Sequence, residues 1–296
     1  MTQPHATLVR SARFLHYLEG LPSRYKADAM RPLWRDAGGR VQAQFLQCAL
    51  TSEFAPVVHV QTGAAFAHEG RIRTYAEEDE GLSAWRLFAR AADDATLIAL
   101  DRMCRLVHAL NYFQGEETVP LIVGIHDRLL AAVLEDHGAA YRNVLVALGL
   151  PQDFVWIQIP ASANRELSLL LQVVRNYRRN GFHLVVQADD LATARTLLAQ
   201  ARPAALSIDW RAGWPGDDVD ALRVACEAQG VQLLARHVQT AQEAARVADA
   251  GIPLAQGDAL RPRWHVSQAG EGSAAIPQLA ATADTAKTVT IPWERA

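Results

Sequence analysis

Short apolar segments alternate with helical stripes along most of this chain. Eight segments read as strands: 57–60, 66–73, 120–125, 154–159, 183–187, 204–208, 231–235 and 253–255. Between them, apolar residues recur at helical spacing. Leu97, Leu100, Cys104, Val107, His108 and Leu110 share one face, with His108 read as a packed residue. Leu167, Leu170, Leu171, Val174 and Tyr177 share another, and Leu191, Ala194, Leu197, Leu198 and Ala201 a third. A shorter helix is expected over 85–91. Thr240 caps one more, with Ala244, Val247 and Ala248 on its apolar face and Gly251 ending it. Short strands, each followed by an amphipathic helix, imply a mostly parallel sheet covered by helices. Eight of them suit a closed (β/α)8 barrel of the TIM type. Gln61-Thr-Gly63 is a hairpin-type turn, so the first strand runs antiparallel to its neighbour.

The chain divides into three parts on this pattern. Residues 1–50 read as a helical extension: Leu8, Ala12, Leu15 and Leu18 fall on one helical face, and Val41, Phe45, Cys48 and Ala49 on another. Tyr25, Ala29, Leu33 and Trp34 suggest a third, shorter helix between them, and Asp36-Ala-Gly-Gly39 is a break. Residues 51–264 form the barrel, with an acidic connection at 75–81. After Trp264 the composition drops to Ala, Gly, Ser, Thr and Gln, so 265–296 reads as a flexible tail.

Composition narrows the classes further. The chain has 296 residues, half of them apolar, and a formal net charge of −3. That balance gives no electrostatic reason to expect nucleic acid or an anionic membrane as partner. No apolar run reaches the roughly 20 residues of a membrane span, and the first residues lack a secretory signal. Cys48, Cys104 and Cys226 are odd in number and far apart, which points to neither disulfides nor a thiolate metal site. A cytoplasmic protein without a cofactor is the expectation. Phosphate-loop, dinucleotide-fingerprint, nucleophile-elbow and zinc-protease motifs are all missing.

Ordered matches over some 200 residues carry a resemblance instead. Phe54-Ala-Pro-Val-Val58, Thr62-Gly63, His68-Glu69-Gly70-Arg71-Ile72-Arg73, Leu100-Asp101, Ser207-Ile208-Asp209, Ala235-Arg-His-Val-Gln-Thr240, Gln256-Gly257 and Pro262 fall in sequence. The chain resembles the EAL domain, a barrel that hydrolyses cyclic di-GMP with Mg²⁺ or Mn²⁺. The resemblance places Glu69 on the family's name-giving glutamate and Arg73 on its phosphate-contacting arginine. Other ligand positions depart from the pattern. Gly124 stands for an Asn, Gln158 and Ala161 for two Glu, Ser207 for a catalytic Lys, Arg236 for a Glu and Gln239 for another. The family's Asp pair falls on Gln187-Ala188 without a gap, or on Asp189-Asp190 with a two-residue shift. Divalent cations on phosphodiesters need hard, charged oxygens, and an arginine nearby repels them.

The resemblance therefore implies a degenerate member, not an enzyme, that regulates by contact with an unknown protein partner. Glu69, Arg71, Arg73, Asp209, Arg236 and Gln256 are the expected remnants of the ligand pocket, with no metal and no catalytic residue. A metal-independent cyclic di-GMP receptor is the first alternative. A residual phosphodiesterase, or another hydrolase pairing Glu69 with His59 or His237, is the second. The N-terminal helices and Ile291-Pro-Trp293 are candidate contact surfaces, and a homodimer is implied by the resemblance alone.

Overall fold

The computed structural model describes residues 11–22, 33–45, 48–75, 84–89, 91, 93–115, 119–132 and 137–263. The expected helix around Tyr25 and Ala29, most of the acidic connection and the tail at 265–296 lie outside these residues. The first helix, α1 (Ala12–Glu19), opens on Ser11, whose hydroxyl accepts from Phe14 N and donates to Leu148 O at 3.1 Å in each case.

Eight strands close into a barrel. They are β3 (Cys48–His59), β4 (Ala65–Tyr75), β5 (Leu121–Gly124), β6 (Val155–Ile159), β7 (His183–Ala188), β8 (Ala205–Asp209), β9 (Gln232–Arg236) and β10 (Leu254–Ala255). From β4 to β10 neighbours run parallel. Strand β3 is antiparallel to both β4 and β10, and so seals the cylinder. The hairpin at 60–64 that reverses the chain uses Gly63 at φ +68°, a left-handed conformation suited to glycine. Helices α2 (Ala84–Ala89), α3 (Asp94–Tyr112), α4 (Asp127–Ala132), α5 (His137–Leu148), α6 (Leu167–Arg179), α7 (Leu191–Gln200), α8 (Gly216–Ala228) and α9 (Ala241–Asp249) link the strands. Thr240 caps α9 in a reciprocal box with Glu243.

Because side chains alternate along a strand, the barrel has two apolar layers. Val57, Ala67, Ile122, Val185, Ala205, Leu234 and Leu254 fill the interior, with Phe66 and Trp156 packed on them. The alternate residues, such as Val123, Ile157, Val186, Leu206 and Leu233, join the larger core beneath the helices.

The sheet also corrects one expectation. Leu33 and Trp34, and residues 41–45 and 48–49, are not helical: β1 (Leu33–Arg35) and β2 (Val41–Phe45) form antiparallel pairs that extend the sheet beyond β3. Val41-Gln-Ala-Gln-Phe45 alternates strictly, with Val41 and Ala43 buried and the two glutamines half-buried. Its apolar spacing fits four residues per turn as well as two per pleat, and tertiary pairing decides between them. Asn111 of α3 fixes the choice by accepting from Val41 N at 2.7 Å and donating to Val41 O at 2.8 Å. Since β3 runs unbroken from Cys48 to His59, the sheet does not stop at the expected boundary at residue 50.

Helix α3 carries unusual polar content for a buried face. Arg105 pairs with Asp101 one turn earlier and donates to Tyr177 Oη at 3.2 Å, with its guanidinium 5.0 Å from the Tyr141 ring centroid. Burial pulls the Arg105 pKa down, but Asp101 and the two tyrosines outweigh it and hold the group charged. His108 lies on the same helix with Nδ1 2.8 Å from Ser52 Oγ, and burial pushes its pKa down to about 4.

Candidate functional site

Two residues beyond the apolar interior, each strand places a second inward side chain at the carboxyl end of the barrel. Glu69 follows Ala67, Gly124 follows Ile122, Gln158 follows Trp156 and Gln187 follows Val185. Ser207 follows Ala205, Arg236 follows Leu234 and Gln256 follows Leu254; Ala55 holds the matching place on antiparallel β3. This layer carries one carboxylate, three amides, a hydroxyl and a guanidinium. In parallel α/β barrels this end is where ligands bind.

Glu69 is the centre of the layer and is buried. Its Oε1 accepts from Arg236 Nη2 at 2.6 Å, and its Oε2 from Arg71 Nε at 2.8 Å and Gln256 Nε2 at 3.1 Å. Burial pushes the carboxyl up. The Arg236 and Arg71 guanidiniums, with the bonds from Arg71 and Gln256, outweigh that and hold it below its ordinary value of 4.5. Both oxygens are thus occupied by charge-assisted bonds. Arg236 is itself buried, and its Nε has no hydrogen-bond partner among the described residues; the same holds for Ser207 Oγ on the adjacent strand.

Gln256 is held here by the chain behind it. A Cβ on Gly257 would lie 2.0 Å from Val238 O, so only glycine lets the two segments pass. Gln256 O in turn accepts from Val238 N at 3.0 Å. The residue before Val238, His237, adopts φ +61°, which a side chain tolerates poorly. By the resemblance this is the glycine of Ala-Glu-Gly, so the backbone keeps the turn although the glycine is gone.

The expected pocket residues separate into two groups. Glu69, Arg71, Arg236 and Gln256 meet directly. Asp209 stands beside Arg236 in register but takes other partners: Arg211 Nε at 3.1 Å, Arg211 Nη2 at 2.8 Å and Arg211 N at 3.0 Å. His237 Nδ1 also lies 3.0 Å from Asp209 Oδ1. Hydrogen bonds from the Arg211 side chain, against the opposing effect of burial, hold the Asp209 carboxyl well below the carboxylate range. Arg73 is exposed on β4, level with Thr51 of β3 and above the last β4–β5 pair.

Two expected pairings are not made. His59 is in register with Leu254, near the amino-terminal end of the barrel, and its ring packs edge-on against Phe66. Glu69 is in register with Ala55, four extended residues or roughly 13 Å away along the strand. His237 contacts Asp209 rather than Glu69. An acid–base pair of Glu69 with either histidine is therefore absent from this arrangement. Asp190 is structural. It caps α7 by accepting from Thr193 N at 2.8 Å and Thr193 Oγ1 at 2.9 Å, while Gln187 holds the inward strand position.

Sequence reasoning missed Arg211, and it noted Asp101 without Arg105. The four-residue spacing of Asp101 and Arg105 on one helix was the available signal.

These residues do not fit a divalent cation. Both oxygens of the layer's carboxylate already accept from guanidinium or amide, Gln158, Gln187 and Gln256 are neutral, and Gly124 offers no donor. A dication about 4 Å from the Arg236 guanidinium would be repelled by roughly 8 kcal/mol at an effective dielectric near 20.

Fold and mouth together define a (β/α)8 barrel with one reversed strand and its ligand edge at the strand carboxyl ends. A sequence model of the EAL domain matches residues 39–262, and the chain belongs to the EAL domain family. Solved structures agree on the fold. One is BlrP1 of Klebsiella pneumoniae in its manganese and cyclic di-GMP complex, at TM-score 0.59 and 21% identity, covering 70% of this chain and 54% of that one. Another is the FimX EAL domain of Xanthomonas citri with cyclic di-GMP, at TM-score 0.56 and 18% identity, covering 71% and 85%. A third is a standalone EAL protein of Vibrio cholerae O395 in its cyclic di-GMP-bound form, at TM-score 0.57 and 18% identity, covering 72% and 91%. The chain spans about half the length of the Klebsiella protein. No curated protein matches it. Among the described residues no helix is long and apolar enough to cross a membrane.

Proposed function

We propose that this protein is a non-catalytic member of the EAL family that acts in cyclic di-GMP signalling by binding rather than by hydrolysis. The observation that carries this reading is the closure of Glu69. Arg236, Arg71 and Gln256 occupy the carboxylate that the family uses for metal. Metal-assisted attack on a phosphodiester needs a charged oxygen cluster to hold the ion and lower the pKa of its water. Neutral amides and a fixed guanidinium supply neither. A barrel scaffold outlasts the loss of its site because packing and site residues are largely separate, which supports a regulatory role through contact with another protein.

The test is hydrolysis of cyclic di-GMP by the full chain with Mg²⁺ or Mn²⁺. We expect no turnover above the buffer rate. Turnover that requires the metal and vanishes in Glu69→Gln would overturn the proposal. A second reading, a receptor for the dinucleotide, is favoured by the guanidiniums at the mouth.

A further inference from the structure

The opposite end of the barrel carries an arginine cluster that the mouth does not explain. Arg175, Arg178 and Arg179 are exposed at the end of α6, and Arg202 is exposed in the turn after α7. Helix α6 leads into β7 and α7 into β8, and these strands are neighbours, so the two turns lie together at the strand amino ends. Arg178 Nη1 donates to Ala201 O at 3.2 Å and joins them. None of the four guanidiniums has a carboxylate partner among the described residues. Gln152 donates to Asn180 O and brings the turn before β6 alongside, yet Asp153 in that turn pairs with none of them. Arginines elsewhere on the surface are matched: Arg40 with Asp36, Arg211 with Asp209 and Arg223 with Glu227.

The backbone at Arg202 is a second, independent observation. Its φ is +44°, a left-handed conformation that side chains disfavour, and it precedes Pro203, which narrows its choices further. The turns after α5, α6, α8 and α9 place Gly149, Gly181, Gly230 and Gly251 in this region, at φ +66°, +82°, +67° and +67°. Glycine after α7 would serve the fold equally and without strain. Cations in the last turn of a helix offset its dipole, which accounts for Arg178 and Arg179. It does not account for an arginine kept where the other turns use glycine. Strain retained under an exposed side chain points to a contact that the side chain makes.

Resting on the reading that the protein regulates by contact with another protein, we propose that Arg175, Arg178, Arg179 and Arg202 dock an acidic segment of that partner. Each guanidinium is a planar fork that takes a carboxylate with paired N–H bonds. Four unmatched forks on two adjoining turns fit a run of aspartates and glutamates. Nucleic acid fits less well, because bases need an aromatic face to stack on. The aromatic residue of α6 and α7 is Tyr177, and it is buried. The surface lies at the far end of the barrel from Glu69 and Arg236, so contact here neither needs nor blocks a ligand at the mouth.

Fluorescence anisotropy of a labelled oligoglutamate peptide, titrated with the full chain, tests this. Saturable binding is expected at about 50 mM salt, weakened at least about fivefold at about 300 mM. Arg175→Glu/Arg179→Glu should weaken it at least about tenfold. Arg246→Glu, a reversal on α9 away from the patch, should change it by less than about twofold. Arg202→Gly separates contact from folding: binding should weaken at least about threefold while Tm holds or rises by up to about 4 °C. No binding of the peptide, binding indifferent to salt or to Arg175→Glu/Arg179→Glu, and an equal loss in Arg246→Glu would each overturn the inference. So would tighter binding of a single-stranded oligonucleotide of equal charge, or a lowered Tm in Arg202→Gly. Absence of peptide binding together with absence of cyclic di-GMP turnover removes this surface and leaves the non-catalytic reading standing. Metal-dependent turnover removes that reading whether or not the peptide binds.

Discussion

Two carboxylate–guanidinium pairs are buried among the described residues, and their construction differs. Asp101–Arg105 spans one turn of α3, and tyrosines from two other helices seal it: Tyr177 accepts from Arg105, and Tyr141 lies under its guanidinium. Asp101 also accepts from His126 N at 3.4 Å and so ties α3 to the loop after β5. Glu69–Arg236 joins β4 to β9 at the mouth, 167 residues apart in sequence. Each arginine leaves its Nε unmatched among the described residues, so the difference lies in the surroundings: Arg71 beside the second pair is 38% exposed. A buried ion pair sealed by its neighbours belongs to packing. One at the ligand edge of a barrel, beside an exposed arginine, belongs to a site.

The largest effect expected from this contrast is at α3. Arg105→Leu leaves Asp101 charged and buried without its partner, which costs about 3–5 kcal/mol. Urea unfolding at neutral pH measures it. Replacing both residues by apolar ones of similar volume should recover most of the loss. If Arg105→Leu costs under about 1 kcal/mol, the range of an exposed pair, the division between a pair closed in by helices and one at the mouth fails.

How much of this could be read in the sequence divides along the same line. Local features were legible: the eight barrel strands, the hairpin at Gly63 and the cap at Thr240 all rest on spacing within a dozen residues. Strand β2 was not, because five alternating residues fit either period, and pairing with β3 and the clamp from Asn111 decide. At the mouth, the resemblance placed Glu69 and Arg236 as a carboxylate and an intruding cation. Their bond, with Arg71 and Gln256 on the other oxygen, depends on barrel closure that no spacing encodes. The acid–base pairing with His59 failed for a reason that was legible: the reversal of β3 signalled by the Gly63 hairpin carries His59 towards the opposite end.

A smaller effect is expected at the mouth. Glu69→Gln preserves shape but removes the charge, costing about 1–3 kcal/mol. Its pH dependence gives the sign. The folded pKa lies below the ordinary 4.5, so the stabilisation is fully present above that value. It is lost as pH falls from 4.5 through the lower folded value. Urea melts stepped downward from that ordinary value should steepen in the native chain more than in Glu69→Gln. Equal slopes would mean that Arg236 and Arg71 do not hold this carboxylate ionised.

The last pair of effects separates the two regions sterically, by adding a side chain at a glycine on each of two neighbouring strands. Gly70 faces α3, and an added Cβ would lie 2.8 Å from His108 Cγ. That ring is held by Ser52 and cannot retreat freely, so Gly70→Ala should cost about 1–3 kcal/mol through overpacking. Gly124 faces the mouth and its Cβ would meet nothing within 4 Å. Gly124→Asn, which restores the side chain the family carries there, should change stability by less than about 0.5 kcal/mol. Thermal melts of the two variants side by side decide it. A large loss in Gly124→Asn would mean that the space above the layer is filled by packing, and a ligand could not then use it.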